Sequence, residues 1–195
     1  YYSIFELFKI GIGPSSSHTV APMKAANLFV AELLDSDNLK YLKKISITLQ
    51  GSLAYTAIGH KTIDGIVIGL LGIKPEYVDT KTIYNTLNDI KKTKSININN
   101  SHKISFDQNN DIILDKAIND IDKNKNTMIF KAIYKNNISS LIKTYTSIGG
   151  GFIHENGKSK LKAQHNYPLI FGNSIELLEM CNKNNCNIYD IVLTN

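Results

Sequence analysis

The apolar positions of this chain change period several times, and those changes divide it into helices and strands. From Val20 to Leu34, the residues Val20, Met23, Ala26, Val30 and Leu34 recur at helical spacing, and Leu28, Phe29 and Leu33 widen the stripe. Pro22 falls in the first turn, where its missing N–H costs little, and Asp35-Ser36-Asp37-Asn38 ends the helix. Lys44 to Gln50 then alternates strictly, with Ile45, Ile47 and Leu49 on one face, as a half-buried strand does. A second apolar helix carries Ile66, Val67, Ile68, Leu70 and Leu71 and stops at Gly72 and Pro75. A more polar helix is expected over 81–91. Met128, Phe130, Ala132 and Tyr134 alternate, Lys135-Asn136-Asn137 turns the chain, and 139–145 returns as a second strand. Between these elements, 92–111 is rich in Ser, Asn and Lys and reads as a tolerant surface insertion with short strands at 96–98 and 104–106. After a polar loop over 156–166, Asn173 with Glu176 and Asn187 with Asp190 have the spacing of capping boxes that open two helices. The last helix stops with the chain, so the gene product is expected to continue. The pattern predicts an α+β fold, a mixed sheet with helices packed on it, over residues 1–195 as one domain.

Composition narrows the function classes. An apolar fraction of 43% is ordinary for a globular protein, and no run approaches the length of a membrane span. The net charge of +5 comes from lysines alone, since the sequence has no arginine. The lysines are scattered among Asn, Ile and Asp, which describes a solvated surface and not a nucleic-acid stripe. Without arginine there is no bidentate carboxylate clamp, so backbone amides, hydroxyls and lysine must serve an anion. Cys181 and Cys186 have no third cysteine beside them and form no CxxC pair, so by themselves they cannot hold a zinc ion or an iron–sulfur cluster. They read as reduced thiols of a cytoplasmic protein.

Candidate chemistry is concentrated in Gly11-Ile12-Gly13-Pro14-Ser15-Ser16-Ser17-His18-Thr19, between an apolar run and the first long helix. The glycines allow close backbone approach, and Pro14 fixes the direction of the turn. Ser15, Ser16, Ser17 and Thr19 stand where a helix leaves four N–H groups without partners, an arrangement suited to a carboxylate or phosphate. The same serines would also serve as a plain helix cap. His18 at the rim can move a proton near neutral pH. His60, after Gly59 on a connection leaving a strand, is a second such side chain or a hydrogen-bonded structural residue. His102, His154 and His165 lie in polar segments and read as solvated. Gly149-Gly150-Gly151 permits either close approach of backbone to a ligand or a strand terminus.

The stretch Gly11–Thr19 closely resembles the N-terminal signature of the bacterial iron–sulfur L-serine dehydratases, or L-serine ammonia-lyases, in their β chain or β domain. Gly51-Ser52-Leu53-Ala54 followed by Gly59-His60 resembles that family's Gly-Ser-Leu…Gly-Lys-Gly-His segment. Tyr145 to Ile153 resembles its Tyr-Tyr-Ser-Ile-Gly-Gly-Gly-Phe-Ile. The sequence departs from the family at Ala57-Ile58, which replace Gly-Lys, and at Ile63, which separates Thr62 from Asp64. Asn124 stands where the family has a further histidine. The resemblance implies conversion of L-serine to pyruvate and ammonia. An iron of a 4Fe-4S cluster, held by a catalytic α part absent from this chain, would act there as Lewis acid. It implies His18 and His60 as catalytic residues and Ser15, Ser16, Ser17, Thr19, Gly149 and Gly150 as substrate contacts, with no metal ligand here. L-serine, the α part and further copies of the chain are the implied partners, and nucleic acid and membrane are not. A looser resemblance to the allosteric substrate-binding domain of phosphoglycerate dehydrogenases implies a similar fold, and offers an alternative in which the chain is a serine-binding regulatory domain without chemistry.

Overall fold

The computed structural model describes residues 8–36, 38–117, 126–136, 138–157 and 167–195. Residues 8–157 belong to one compact unit and residues 167–195 to a second. In the larger unit a π-helical turn, Ser16–Val20, runs directly into helix α1, Ala21–Asp35. Strand β1, Leu42–Gln50, is followed by a short helix α2, Ser52–Thr56, and then by α3, Thr62–Leu70. Helix α4, Ile83–Thr93, leads to the hairpin β2–β3, Ser95–Ile98 and His102–Ser105. The turn α5, Gln108–Asp111, precedes β4, Ile112–Asp115, and the long strands β5, Thr127–Tyr134, and β6, Leu141–Gly149, are followed by β7, Phe152–Glu155.

The main sheet has the order β4-β1-β5-β6-β7. Strand β4 runs parallel to β1, and the other neighbours are antiparallel, so the sheet is mixed and the fold α+β. The alternation read in β1 faces Ile45, Ile47 and Leu49 into the core with Met128, Phe130 and Ala132 of β5. The rings of Phe29 and Phe130 stand 5.2 Å apart, and Tyr145 meets Phe130 edge-on at 5.8 Å, which fastens α1 to the sheet. Helices α1 and α3 pack closely because a Cβ at Gly69 would run into the Met23 carbonyl. Asn27 also reaches across, its amide donating to the carbonyls of Gly69 at 3.0 Å and Ile73 at 2.9 Å.

Three local expectations need correction. The segment 92–111 is not a tolerant insertion, because Ile96, Ile98, Ile104 and Phe106 of its hairpin are buried in the core. His102 is only part-exposed, and its Nε2 lies 3.1 Å from the Leu42 carbonyl, tying β3 to the start of β1. His154 lies on β7 opposite Thr146 and is half-buried, not in a solvated loop. His165 and Asn124 lie outside the described residues.

The second unit holds α6, Ser174–Asn184, and α7, Ile188–Thr194. Both capping expectations hold. Asn173 accepts from the Glu176 N–H at 3.0 Å, and Asp190 accepts from the Asn187 N–H at 2.8 Å. Asn195 brackets the Leu169 backbone, accepting from its N–H and donating to its carbonyl. Among the described residues no helix is long and apolar enough to cross a membrane.

Candidate active site

The glycine–serine stretch becomes a tight turn because each of its small residues is used. Ser15 caps the π-helical turn, its Oγ accepting the His18 N–H at 3.1 Å while its carbonyl accepts from Thr19 at 2.9 Å. Gly13 has no room for a side chain, since a Cβ there would stand 2.6 Å from Thr19 Oγ1 and 3.0 Å from the His60 carbonyl oxygen. The loop therefore lies directly against the His60 connection, although 42 positions separate the two histidines (60 minus 18).

Two buried threonines lock that contact reciprocally. Thr19 Oγ1 donates to the carbonyl of His60 at 2.6 Å, and Thr62 Oγ1 donates to the carbonyl of His18 at 2.6 Å. Both threonines are fully shielded from solvent. The two imidazoles consequently face each other with ring centroids 5.0 Å apart and planes tilted by 49°. Thr19, expected among the substrate contacts, is thus committed to the scaffold.

The two rings differ in their partners. His18 Nδ1 lies 2.8 Å from Ser17 Oγ, and His18 Nε2 lies 2.6 Å from Ser52 Oγ, which in turn donates to Asn126 Oδ1 at 2.7 Å. Burial holds the His18 pKa below the ordinary histidine value, and the charge of His60 lowers it further. His60 Nδ1 is buried and has no hydrogen-bond partner among the described residues. Ser52 reaches its place because β1 ends at Gly51, whose φ of 64° and ψ of −147° fall in a region open essentially to glycine alone. Asn126 sits at a left-handed φ of 50°, just before β5.

The third wall is the end of β6. Buried Ser147 donates from Oγ to the Ser17 carbonyl at 2.8 Å, so the strand holds the loop from the other side. Gly149, Gly150 and Gly151 all have positive φ (97°, 57° and 75°). A Cβ on Gly151 would stand 3.5 Å from Ser16 Cβ and 3.0 Å from Lys9 Cγ, whereas one on Gly149 would meet nothing among the described residues within 4 Å. The triplet therefore packs its last glycine against the serine loop and leaves its first open. Lys9, unremarked in the sequence, brings an ammonium to this edge, 4.5 Å above the Phe152 ring.

The structure thus gathers His18, His60, Ser15–Ser17 and the glycine triplet on one face, and adds Ser52, Thr62, Asn126, Ser147 and Lys9. Of these, Ser52 lies inside the family-like Gly51–Ala54 segment and Asn126 just after the position of the family's further histidine, but neither residue type signals its role. Among the described residues no three His, Cys, Asp or Glu side chains converge as a metal site needs, and Cys181 and Cys186 offer only two thiols in the second unit. The chain's own described residues do not fit an iron–sulfur cluster.

Comparison with known proteins shows the family of the chain. The family described as serine dehydratase beta chain matches residues 3–158. An L-serine dehydratase of Haemophilus influenzae is 35% identical over 99% of this chain and 43% of its own length. One from Helicobacter pylori is 35% identical over 98% of this chain and 42% of its own length. L-serine dehydratase 1 of Escherichia coli is 33% identical over 99% of this chain and 42% of its own length. The chain spans less than half the length of these relatives.

Proposed function

The chain belongs to the serine dehydratase beta chain family, and from that premise we propose that it forms the β part of an L-serine ammonia-lyase. Together with an α part, fused or separate, it converts L-serine to pyruvate and ammonia. The observation that carries the reading is the facing pair of imidazoles, 5.0 Å apart, set in a loop of hydroxyls and glycines. A purely serine-sensing domain needs the hydroxyls but has no use for two opposed proton carriers.

The reaction removes the proton from Cα of serine and the hydroxyl from Cβ, leaving aminoacrylate that water converts to pyruvate and ammonia. The 4Fe-4S cluster implied by the resemblance belongs, on this reading, to the α part, because the described residues of this chain offer it no ligand set. This chain binds, orients and moves protons. The Lys9 ammonium and the Ser16 and Gly149–Gly150 edge hold the substrate carboxylate by charge and by hydrogen bonds. His60, whose half-buried ring stands against His18, is the proton acceptor or donor toward the substrate. His18 backs it from the opposite side.

The test is assembly. This chain combined with the remainder of its enzyme should form pyruvate from L-serine, and this chain alone should bind L-serine without turnover. Binding of L-serine with no turnover in the complete assembly would convert the reading into the regulatory alternative.

A further inference from the structure

His18 has both ring nitrogens engaged by serine hydroxyls, so neither faces a ligand directly, and the hydrogen-bond chain around it has only one consistent direction. Asn126 Oδ1 can only accept, so the single hydroxyl proton of Ser52 is committed to it at 2.7 Å. Ser52 Oγ must then accept from His18 Nε2 at 2.6 Å, which places the proton of the neutral imidazole on Nε2. Nδ1 is left as a lone pair, and the contact of 2.8 Å to Ser17 is a hydroxyl donating to it. Ser15 lies on the far side of Ser17, with the two hydroxyl oxygens 3.3 Å apart, and the Ser17 carbonyl is held by Ser147. Among the described residues the polar groups around His18 are therefore three serines, Asn126 by way of Ser52, Thr62 on its carbonyl, and the facing His60 ring.

We propose that Ser17 is the hydroxyl through which His18 exchanges protons with the site, and that Ser52 and Asn126 are positioning residues that hold the imidazole in the required tautomer. The inference rests on the reading of this face as an active site and names a proton path within it. In the step, an acidic H–X group of the substrate gives its proton to Ser17 Oγ as the Ser17 proton passes to His18 Nδ1. The bond to X breaks, Ser17 is again a neutral hydroxyl, and His18 is an imidazolium that still donates from Nε2 to Ser52. No oxidant or further reactant is needed. Reversal returns the proton to a leaving group. If Asn126 did not accept, the Ser52 hydroxyl could turn and donate to Nε2; Nδ1 would then carry the proton, and the Ser17 oxygen could only accept from it.

The tautomer is readable without substrate. In the 195-residue chain labelled with 15N-histidine, at a pH where His18 is neutral, His18 should show a protonated Nε2 and a bare Nδ1. Asn126→Gly keeps the left-handed backbone, since glycine accepts φ near 50°, and deletes the acceptor. It should populate the Nδ1–H form. Asn126→Asp retains an acceptor and should restore the parent tautomer. An Nδ1–H imidazole in the parent chain, or an Asn126→Gly spectrum identical to the parent, would overturn the proposal. If Asn126→Gly does not fold, Ser52→Ala removes the same constraint and is read in the same way. In the assembled enzyme, Ser17→Ala should lower kcat by about 10²-fold or more with little change in KM, as loss of a proton-transfer group does. An unchanged kcat would overturn the assignment of Ser17. Failure of the tautomer test leaves serine turnover untouched, whereas failure of turnover in the parent assembly removes the enzyme reading and leaves the tautomer as measured.

Discussion

The segment around His18 and the connection around His60 are built with the same device and put to different use. Each backbone carbonyl is held by a buried threonine from the other segment, Thr62 on His18 and Thr19 on His60. Beyond that the two diverge. The His18 ring is tied at both nitrogens to Ser17 and Ser52, while His60 Nδ1 is buried and unpartnered among the described residues. A side chain whose polar atoms are all satisfied is fixed in orientation and tautomer. One with a buried free nitrogen carries a desolvation cost that the fold tolerates, and a ligand can relieve it. The difference agrees with the proposal that His60 meets the substrate and His18 stands behind it.

The largest expected effect breaks the pair at its open side. In the assembled enzyme, His60→Ala should lower kcat by roughly 10²–10⁴-fold, the range for a general acid or base. His102→Ala, which loses only a tether to the Leu42 carbonyl, should leave kcat nearly unchanged. Equal losses from both would mean that fold stability, and not proton transfer, is being measured.

The next effect strikes the contact between the segments. A methyl at Gly13 collides with Thr19 and with the His60 carbonyl, which is backbone and cannot turn aside. Gly13→Ala should therefore destabilise the larger unit by about 1–3 kcal/mol, as overpacking does. Denaturant unfolding of the chain measures it. A neutral result would show that the loop can lift away from His60, and the pairing would lose its rigidity.

The reciprocal clamp is subtler. Thr19→Val and Thr62→Val keep shape and remove one hydroxyl each, so each should cost about 1 kcal/mol, the net value of a hydrogen bond. Because the two bonds fasten the same pair of segments, the double variant should cost less than the sum, with a coupling of at least about 0.5 kcal/mol. Strict additivity would mean that the two threonines act independently and that the clamp is only two local bonds.

Much of this comparison is legible in the sequence, but not its core. The alternation in 44–50 and 128–134 marks the central strands, and the helical stripe after Val20 marks α1 to within a residue. Strand β4 escapes because a short parallel strand reads as a plain apolar run, Ile112-Ile113-Leu114, without alternation. Strand β7 escapes because three glycines before Phe152 look like an ending, whereas they turn the chain back onto β6. The hairpin 95–105 looks like an insertion because Asn and Lys between its isoleucines hide a two-residue period that buries Ile96 and Ile98. The glycine–serine stretch announces itself by composition. The convergence of His18 with His60 does not, since no local spacing reports a contact between residues so far apart. Ser52 is marked by the family-like segment it lies in, but its role and that of Asn126 are not, because a serine after a strand and an asparagine before one are what turns use everywhere.

The smallest effect separates the two causes acting on His18. Its pKa lies below the ordinary histidine value of 6.5, first because burial penalises the imidazolium and second because a charged His60 repels it. The sign for stability follows directly. Between the lowered folded value and the unfolded value near 6.5 the unfolded chain binds more protons, so stability rises with pH there. The contribution of neutral His18 is present above that window and is lost as pH falls through it. His60→Gln removes the charge while keeping most of the bulk, so burial of His18 is preserved. By NMR titration, His18 in this variant should move upward by the smaller part of its depression and stay below 6.5, because burial is the larger cause. A return to the ordinary value would make the charge of His60 the larger cause and the burial incidental. No movement at all would show that the two rings, though 5.0 Å apart, do not sense each other's charge. The comparison would then reduce to geometry, with His18 and His60 as separate groups on one face.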